Sequence, residues 1–254
     1  ERLSRGAADL AGAQSPPFRI WLEDWTVEEL SPGEYRMQVE ADGIRLDLLM
    51  SDRKGPIFQG DQGYSRKGSD PGNASYYYSL TRLESEGSVW VEGQEFEISG
   101  WSWMDHEHST SALDEDQIGW DWFAVQLEND TELMFYHVRR ADGSIDALSK
   151  GIYVAEDGST TLLSYADGDY NIEVLDTWRS PNSEAVYPAG WRVTLPTLDL
   201  VIEIDPLVVD QEMDVSTVYW EGAVEITATQ GGNVLRGFGY VELTGYESSM
   251  EGRF

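Results

Sequence analysis

Hydrophobic and polar residues alternate with a period of two along most of the chain, which is typical of half-buried β-strands. Residues 34–41 alternate apolar side chains such as Met37 with charged or amide ones. Asp42 and Gly43 follow, and the alternation then resumes through residues 44–50. A tight Asp-Gly turn between two alternating runs predicts a β-hairpin.

Short segments of the same kind recur along the chain, separated by turn residues. Helical periodicity is nearly absent. Residues 51–73 are rich in Gly, Ser and Asp and predict one long loop of the kind that often serves as a functional lid. Many short strands at regular spacing predict an all-β antiparallel barrel or sandwich. The pattern restarts near residue 150, so we expect two consecutive units, at 1–148 and 149–254. The further predicted strands are 18–25, 74–82, 88–91, 95–103, 120–127, 132–140, 152–155, 160–165, 170–178, 190–195, 198–204, 218–228 and 234–246.

Composition narrows the function classes. Asp and Glu number 47 against 17 Lys and Arg, which gives a formal charge of −30. Such a charge repels phosphate backbones, so a nucleic-acid partner is excluded. No apolar run is long enough to span a bilayer, and no transmembrane segment is expected. The absence of cysteine fits an exported protein and a cytosolic one equally. No phosphate-binding loop, Gly-x-Ser-x-Gly turn or cysteine nucleophile is present, so the sequence shows no nucleophile of a hydrolase. No cofactor is expected.

Aromatic and titratable residues gather in residues 100–111 and 119–123. Two of the three histidines and four of the ten tryptophans fall there. In a strand, Trp101, Trp103 and Asp105 share one face, and alternation groups Trp120 with Trp122 in the same way. Apolar walls with a few polar groups are what a ligand pocket needs, so we expect this segment to line one. Tryptophans at alternating strand positions are also typical of a core, and that interpretation has equal weight.

Several stretches of the chain resemble the carotenoid 1,2-hydratase/AttH-like family. The resemblance implies two consecutive lipocalin-like β units. Family members carry further residues before Glu1, so the first unit is expected to lack its opening strands here. We expect those strands to exist, either as a cleaved companion N-terminal fragment or as a further part of the same protein. Where the family has Asp-His-Glu-Trp, this chain has His108 in place of the Trp. The resemblance rests on Gly12–Gln14, Trp21–Trp25, Ser75–Leu83, Gly100–Ser111, Gly119–Phe123, Leu133–Arg140 with Asp142-Gly143, Tyr187-Pro188, Gly190-Trp191, Tyr219–Val224 and Gly239–Tyr246.

The leading hypothesis is a carrier of an apolar, lipid-like or isoprenoid-like small molecule. The resemblance implies a periplasmic or extracellular location in a bacterial envelope and an ABC export system as partner. The expected ligand-binding residues are Trp101, Trp103, His108, Trp120, Trp122, Tyr136 and Tyr77.

Three alternatives stay open. A hydratase or isomerase would protonate an isoprenoid double bond with Asp105 as the acid, assisted by His106 and Glu107. A carbohydrate-binding β-sandwich would use the tryptophans as platforms. His106 and His108 project the same way from a strand and, with His137 or Glu107, would suit a metal ion, although the family resemblance implies no metal.

Overall fold

The computed structural model describes residues 2–68, 72–109 and 113–250. Thr110 and Ser111 of the aromatic segment lie outside these residues. Two curled antiparallel sheets make the protein all-β and lipocalin-like, as predicted. Two short 3₁₀ turns, Ala7–Asp9 and Pro196–Leu198, are the helical elements among the described residues.

Within the described residues the first sheet has nine strands, and its main path runs β1-β2-β3-β4-β5-β8-β6. The short strand β7 and the long strand β9 each pair with β8. The strands are β1 Ala11–Gln14, β2 Arg19–Leu22, β3 Trp25–Ser31, β4 Glu34–Ala41, β5 Ile44–Asp52, β6 Ile57–Phe58, β7 Tyr64–Arg66, β8 Ala74–Val91 and β9 Gln94–Ser109.

The second sheet has ten strands among the described residues, in the order β13-β12-β11-β10-β19-β18-β16-β15-β14, with β17 pairing to β18. Every adjacent pair along this path is antiparallel. The strands are β10 Gln117–Leu127, β11 Glu132–Arg140, β12 Lys150–Val154, β13 Thr160–Ser164, β14 Asn171–Arg179, β15 Val186–Leu195, β16 Leu200–Pro206, β17 Glu212–Asp214, β18 Val218–Gln230 and β19 Asn233–Leu243.

Contacts divide the chain into two units. Unit 1 comprises Glu1–Pro56 and Ser79–Asp105, and unit 2 comprises Ile57–Tyr78 and His106–Phe254. The division at residue 148 expected from the sequence stays a prediction. In the structure, β11 and β12 lie on either side of that residue and pair in one sheet.

The predicted hairpin is confirmed in unit 1. Strands β4 and β5 pair in register up to Ala41 opposite Ile44. Asp42 and Gly43 both adopt positive φ, at 51° and 81°. This is the backbone that a two-residue type I′ turn requires, and Gly adopts it without steric cost.

Two expectations about loops and strand boundaries need correction. The stretch 51–73 is not one loop, because β7 pairs with β8 through Tyr64 opposite Tyr76, and β6 also lies beside β8. Strands of two or three residues are too short to leave a periodic pattern. The runs 74–82 and 88–91 are one strand, and β9 continues to Ser109, so residues 105–108 lie inside a strand.

The hydrophobic core of unit 2 lies on one face of the ten-stranded sheet. Alternation places Phe123 on β10 and Phe135 on β11 in this core, with stacked rings 5.0 Å apart. Trp191 and Trp220 are fully buried beside them. The Trp220 indole N–H donates to the Val209 carbonyl at 2.8 Å. These tryptophans therefore have a structural role.

One charged group also lies in unit 2's interior. Asp121 is 8% exposed and accepts a hydrogen bond from Arg139 Nε at 3.0 Å. The Tyr246 hydroxyl contacts both Asp121 carboxylate oxygens, at 3.0 and 3.1 Å. The Arg139 guanidinium lies 3.8 Å from the centre of the Tyr246 ring and also donates to the Thr244 carbonyl. Burial raises the pKa of Asp121, and Arg139 and Tyr246 partly offset that effect.

Among the described residues, no helix has the length and apolar character that crossing a membrane would require.

Candidate functional site

Seven of the ten residues that the sequence indicates for a site lie in unit 2, and three lie in unit 1. Unit 2 contains His106, Glu107, His108, Trp120, Trp122, Tyr136 and Tyr77. Unit 1 contains Trp101, Trp103 and Asp105.

In unit 2, a lysine that the sequence analysis did not single out joins several of the expected residues. Lys67 Nζ lies 2.6 Å from Glu107 Oε1. The same ammonium lies 5.2 Å from the ring centre of Tyr77 and 5.1 Å from that of Tyr136. A cation at this distance from two aromatic rings is attracted by both of them. We call Lys67, Glu107, Tyr77, Tyr136 and Trp122 the Lys67 cluster.

Strand pairing places this lysine. Lys67 directly follows β7, whose Arg66 lies opposite Ala74 of β8. The Lys67 backbone N–H donates to the Asn73 carbonyl at 3.0 Å and extends the pairing by one residue. Ser75 Oγ then donates to Glu107 Oε1 at 2.5 Å, so this carboxylate oxygen is held by a serine and a lysine.

The aromatic members of the cluster come from two strands of the second sheet and from β8. Trp122 and Tyr136 are direct cross-strand neighbours. They occupy even positions, so they project from the sheet face opposite to the core residues Phe123 and Phe135. The Trp122 indole N–H contacts the Tyr77 hydroxyl at 3.3 Å. Trp122, Tyr136 and Tyr77, three of the expected ligand-binding residues, therefore lie close together in the structure.

Burial sets these tyrosines apart from ordinary surface residues. Tyr77 is 4% exposed and Tyr136 is 6% exposed. Among the described residues, the buried Tyr136 hydroxyl has no hydrogen-bond partner. A buried hydroxyl without a partner costs about 1–3 kcal/mol, so native proteins rarely retain one without a reason.

Trp120 makes a different contact. Its indole N–H donates to Glu242 Oε1 at 2.6 Å, and Glu242 lies on the neighbouring strand β19. This half-buried tryptophan is tied to a carboxylate on its own sheet.

In unit 1, the predicted alternation of Trp103 with Asp105 is visible as a direct contact. The Trp103 indole N–H donates to Asp105 Oδ1 at 2.8 Å, and Ser79 Oγ donates to the same oxygen at 2.5 Å. Asp105 is exposed. Trp101 is 39% exposed, and the Arg82 guanidinium lies 4.3 Å from its ring centre. Trp101 and Trp103 thus each contact a polar group of their own unit.

The two neighbouring histidines of β9 belong to unit 2 and face each other. His106 Nε2 and His108 Nε2 are 2.6 Å apart. The His106 ring stacks on Tyr78, with ring centres 5.1 Å apart and planes 11° from parallel. Partial burial, together with the charge of His108, lowers the pKa of His106.

The suggested third metal ligands do not join this pair. His137 contacts the rings of Tyr165 and Tyr170, at 4.7 and 5.6 Å, and Glu107 binds Lys67. In the parts of the chain that the structure describes, no three or more His, Asp or Glu side chains form a metal-binding group. The three-ligand site considered from the sequence is therefore not formed there.

The sequence analysis missed Lys67, Ser75 and Tyr78. A signal for Lys67 was present, because the chain has only three lysines and this one lies in the stretch expected to act as a lid. Ser75 and Tyr78 lie in the Ser75–Leu83 stretch that carried the family resemblance, but their contacts depend on strand register that periodicity does not give.

The chain is similar to one protein family and to several solved structures. A family model described as AttH-like matches residues 1–246. The structure of a candidate AttH from Nitrosomonas europaea superposes with a TM-score of 0.84 at 35% identity, covering 96% of this chain and 74% of the other. No curated protein matches the chain.

Two further solved structures share the fold. Kievitone hydratase from Nectria haematococca superposes with a TM-score of 0.72 at 16% identity, over 90% of this chain and 70% of its own. CghA with Sch210972 gives a TM-score of 0.53 at 11% identity, over 94% and 74%. At these identities the likeness concerns the fold alone. The family model and the Nitrosomonas structure together confirm the resemblance inferred from the sequence: the chain belongs to the AttH-like family.

Proposed function

We propose that the protein binds a small, largely apolar molecule that carries one polar group, and that the Lys67 cluster recognises it. The observation that carries this proposal is the buried Tyr136 hydroxyl, which has no partner among the described residues. A ligand hydroxyl or carbonyl placed there would supply the missing hydrogen bond. The gain would be about 1–3 kcal/mol, the cost of leaving such a group unpaired.

The surroundings of Tyr136 favour a neutral or weakly polar ligand over a strongly charged one. Lys67 and Glu107 already neutralise each other at 2.6 Å. The adjacent surface consists of the Tyr77 and Tyr136 rings, both nearly buried, and the half-buried Trp122 indole. Apolar and aromatic walls with a few placed polar groups are typical of small-molecule sites. An isoprenoid alcohol has this combination of a long apolar body and one hydroxyl.

The test uses farnesol and the related hydrocarbon farnesene, which lacks the hydroxyl, with tryptophan emission as the readout. We expect Tyr136→Phe to weaken farnesol binding about tenfold, the effect of losing one hydrogen bond of about 1.4 kcal/mol. Farnesene binding should change little, because its contacts are apolar. Tyr64→Phe serves as the matched control, since Tyr64 is 42% exposed.

Two outcomes would count against the proposal. One is an equal loss of farnesol and farnesene affinity in Tyr136→Phe, which would indicate a packing role for the hydroxyl. The other is wild-type protein that binds neither compound and carries no retained apolar molecule in native mass spectrometry. Lys67→Met, compared with Lys54→Met, gives an independent measure of the ion pair's contribution.

A second candidate function is a hydration or isomerisation step in which Asp105 moves a proton. The observation in its favour is the fixed orientation of this carboxylate, which accepts hydrogen bonds from Ser79 Oγ and Trp103 Nε1 on one oxygen. The second carboxyl oxygen would then carry the proton that adds to the double bond, while water supplies the hydroxyl group and returns a proton to the carboxylate.

Substitution of Asp105 tests this second function. Asp105→Asn keeps the size of the side chain and removes the group that transfers the proton, so turnover of an isoprenoid alkene should fall by about a hundredfold or more. Ligand affinity should stay near the wild-type value. Unchanged turnover in Asp105→Asn, or no turnover by the wild type, rules the catalytic role out.

An envelope location and a partnership with an ABC export system also stay proposals, and they are supported by the family resemblance alone. Fractionation of the native cells with a specific antibody tests the location, and a purely cytoplasmic signal would contradict it. Co-purification from a cross-linked membrane fraction tests the partnership.

A further inference from the structure

We propose that His106 and His108 together bind a divalent transition-metal ion, with copper bound most tightly. The two residues are two positions apart on β9, so their side chains leave the strand on the same face. Their Nε2 atoms converge to 2.6 Å. The contact is a hydrogen bond between the two rings, and two imidazole nitrogens this close together can also chelate one metal ion.

The separation suits a shared ion. A metal ion bound at about 2.1 Å from each nitrogen, with the two bonds at a right angle, requires nitrogens about 3 Å apart. The two nitrogens are 2.6 Å apart, so small rotations of the rings that move each nitrogen by a few tenths of an ångström would open the required space. Adjacent ligands at a right angle are the arrangement of a tetragonal copper(II) site, whose remaining positions water can fill.

The neighbouring aromatic rings hold one ligand in place. The His106 ring stacks on the Tyr78 ring, with ring centres 5.1 Å apart, and the centre of the Phe58 ring lies 6.5 Å from that of Tyr78. A ligand that is already ordered loses less conformational freedom on binding.

Charge supports the same conclusion. The chain carries a formal charge of −30, and a field of this sign raises the local concentration of divalent cations. Carboxylates alone would favour calcium or magnesium, whereas two imidazoles favour copper, nickel and zinc, with copper at the top of the affinity order. The site is separate from the Lys67 cluster, because Glu107 projects from β9 on the other face and binds Lys67.

The test is a Cu²⁺ titration of untagged protein, followed by calorimetry and by electron paramagnetic resonance. We expect one tight site with two nitrogen ligands. Substitution His108→Ala should weaken it on the order of tenfold or more, and His106→Ala likewise. His137→Phe is the matched control. It removes the third histidine, which lies in the core, and should leave copper affinity unchanged.

Two other outcomes would contradict the proposal. Copper that binds equally well to the double variant His106→Ala/His108→Ala would show that carboxylates alone hold it, and the proposal would be wrong. A spectrum without coupling to two nitrogens would also overturn it. Since His108 is exposed, His108→Ala should fold normally, and circular dichroism of that variant checks this directly.

Discussion

Replacing Arg139 by leucine should lower the free energy of unfolding by about 3–5 kcal/mol at pH 7, the usual cost of removing one partner of a buried ion pair. Arg139 is the cation that contacts Asp121 at 3.0 Å, and Asp121 is 8% exposed. Without the guanidinium, the carboxylate would keep the Tyr246 hydroxyl but lose its counter-charge. The leucine would also remove the contact between the guanidinium and the Tyr246 ring.

The pH dependence of this loss identifies its cause. Burial raises the pKa of Asp121, so the folded chain holds that proton more firmly than the unfolded chain does. The contribution of Asp121 to the free energy of unfolding is therefore most favourable at low pH. It is lost as the pH rises through the pKa that Asp121 has in the folded chain. The deficit of Arg139→Leu in urea unfolding should therefore narrow as the pH is lowered from 7.

The exposed ion pair of Arg192 with Glu203, at 2.9 Å, provides the control. Arg192→Leu removes the same chemical group from the surface of the same sheet and should leave unfolding almost unchanged, because solvent screens exposed pairs. A similar loss in both variants, or no loss in Arg139→Leu, would contradict the assignment of Arg139 as the counter-charge.

Replacing His137 by phenylalanine should make the protein more resistant to acid. His137 is 6% exposed and its Nε2 atom has no partner among the described residues. Burial lowers its pKa from 6.5 to about 4. The unfolded chain therefore takes up a proton between pH 6.5 and about 4 that the folded chain refuses, and stability falls as the pH drops through this window.

The size of the effect follows from the shift. The change from 6.5 to about 4 corresponds to about 3 kcal/mol, at 1.36 kcal/mol per pKa unit. Between pH 7 and pH 4, the free energy of unfolding of the wild type should therefore fall by that amount more than the free energy of unfolding of His137→Phe. His137→Gln should show the same change with pH despite different packing. A constant difference across this range would mean that His137 does not titrate as its burial requires.

Much of the fold could be predicted because the period-two pattern reports directly which face of a strand is buried. The β4–β5 hairpin was accessible from Asp42 and Gly43 alone, since few other residue pairs adopt positive φ at both turn positions. The short strands β6 and β7 could not be predicted, because their positions are set by pairing with β8 rather than by a hydrophobic pattern of their own.

The candidate site could be predicted only in part from the sequence. Tyr77, Tyr136 and Glu107 were expected in it because they lie in stretches with a marked aromatic or acidic character. Lys67 was not expected, since its position depends on the register of Arg66 opposite Ala74. Local periodicity carries no information about which residue of a distant strand lies opposite.

The family motifs contribute residues to the interior of unit 2 as well as to the Lys67 cluster. Asp121, Arg139 and Tyr246 come from three of the stretches that carried the resemblance, and they meet in one buried group. Sequence alone assigned those stretches to one family but could not separate packing roles from recognition roles, because both use aromatic and charged side chains.

The scarcity of lysine gives the Lys67–Glu107 pair a practical use. Amine-selective acylation can reach only three side chains in this protein, at positions 54, 67 and 150. Each adduct would be distinguishable by peptide mass. The fraction acylated at Lys67, measured against the other two as internal standards, would report how often the ammonium leaves its carboxylate and whether an added molecule shields it, without any mutation or attached dye.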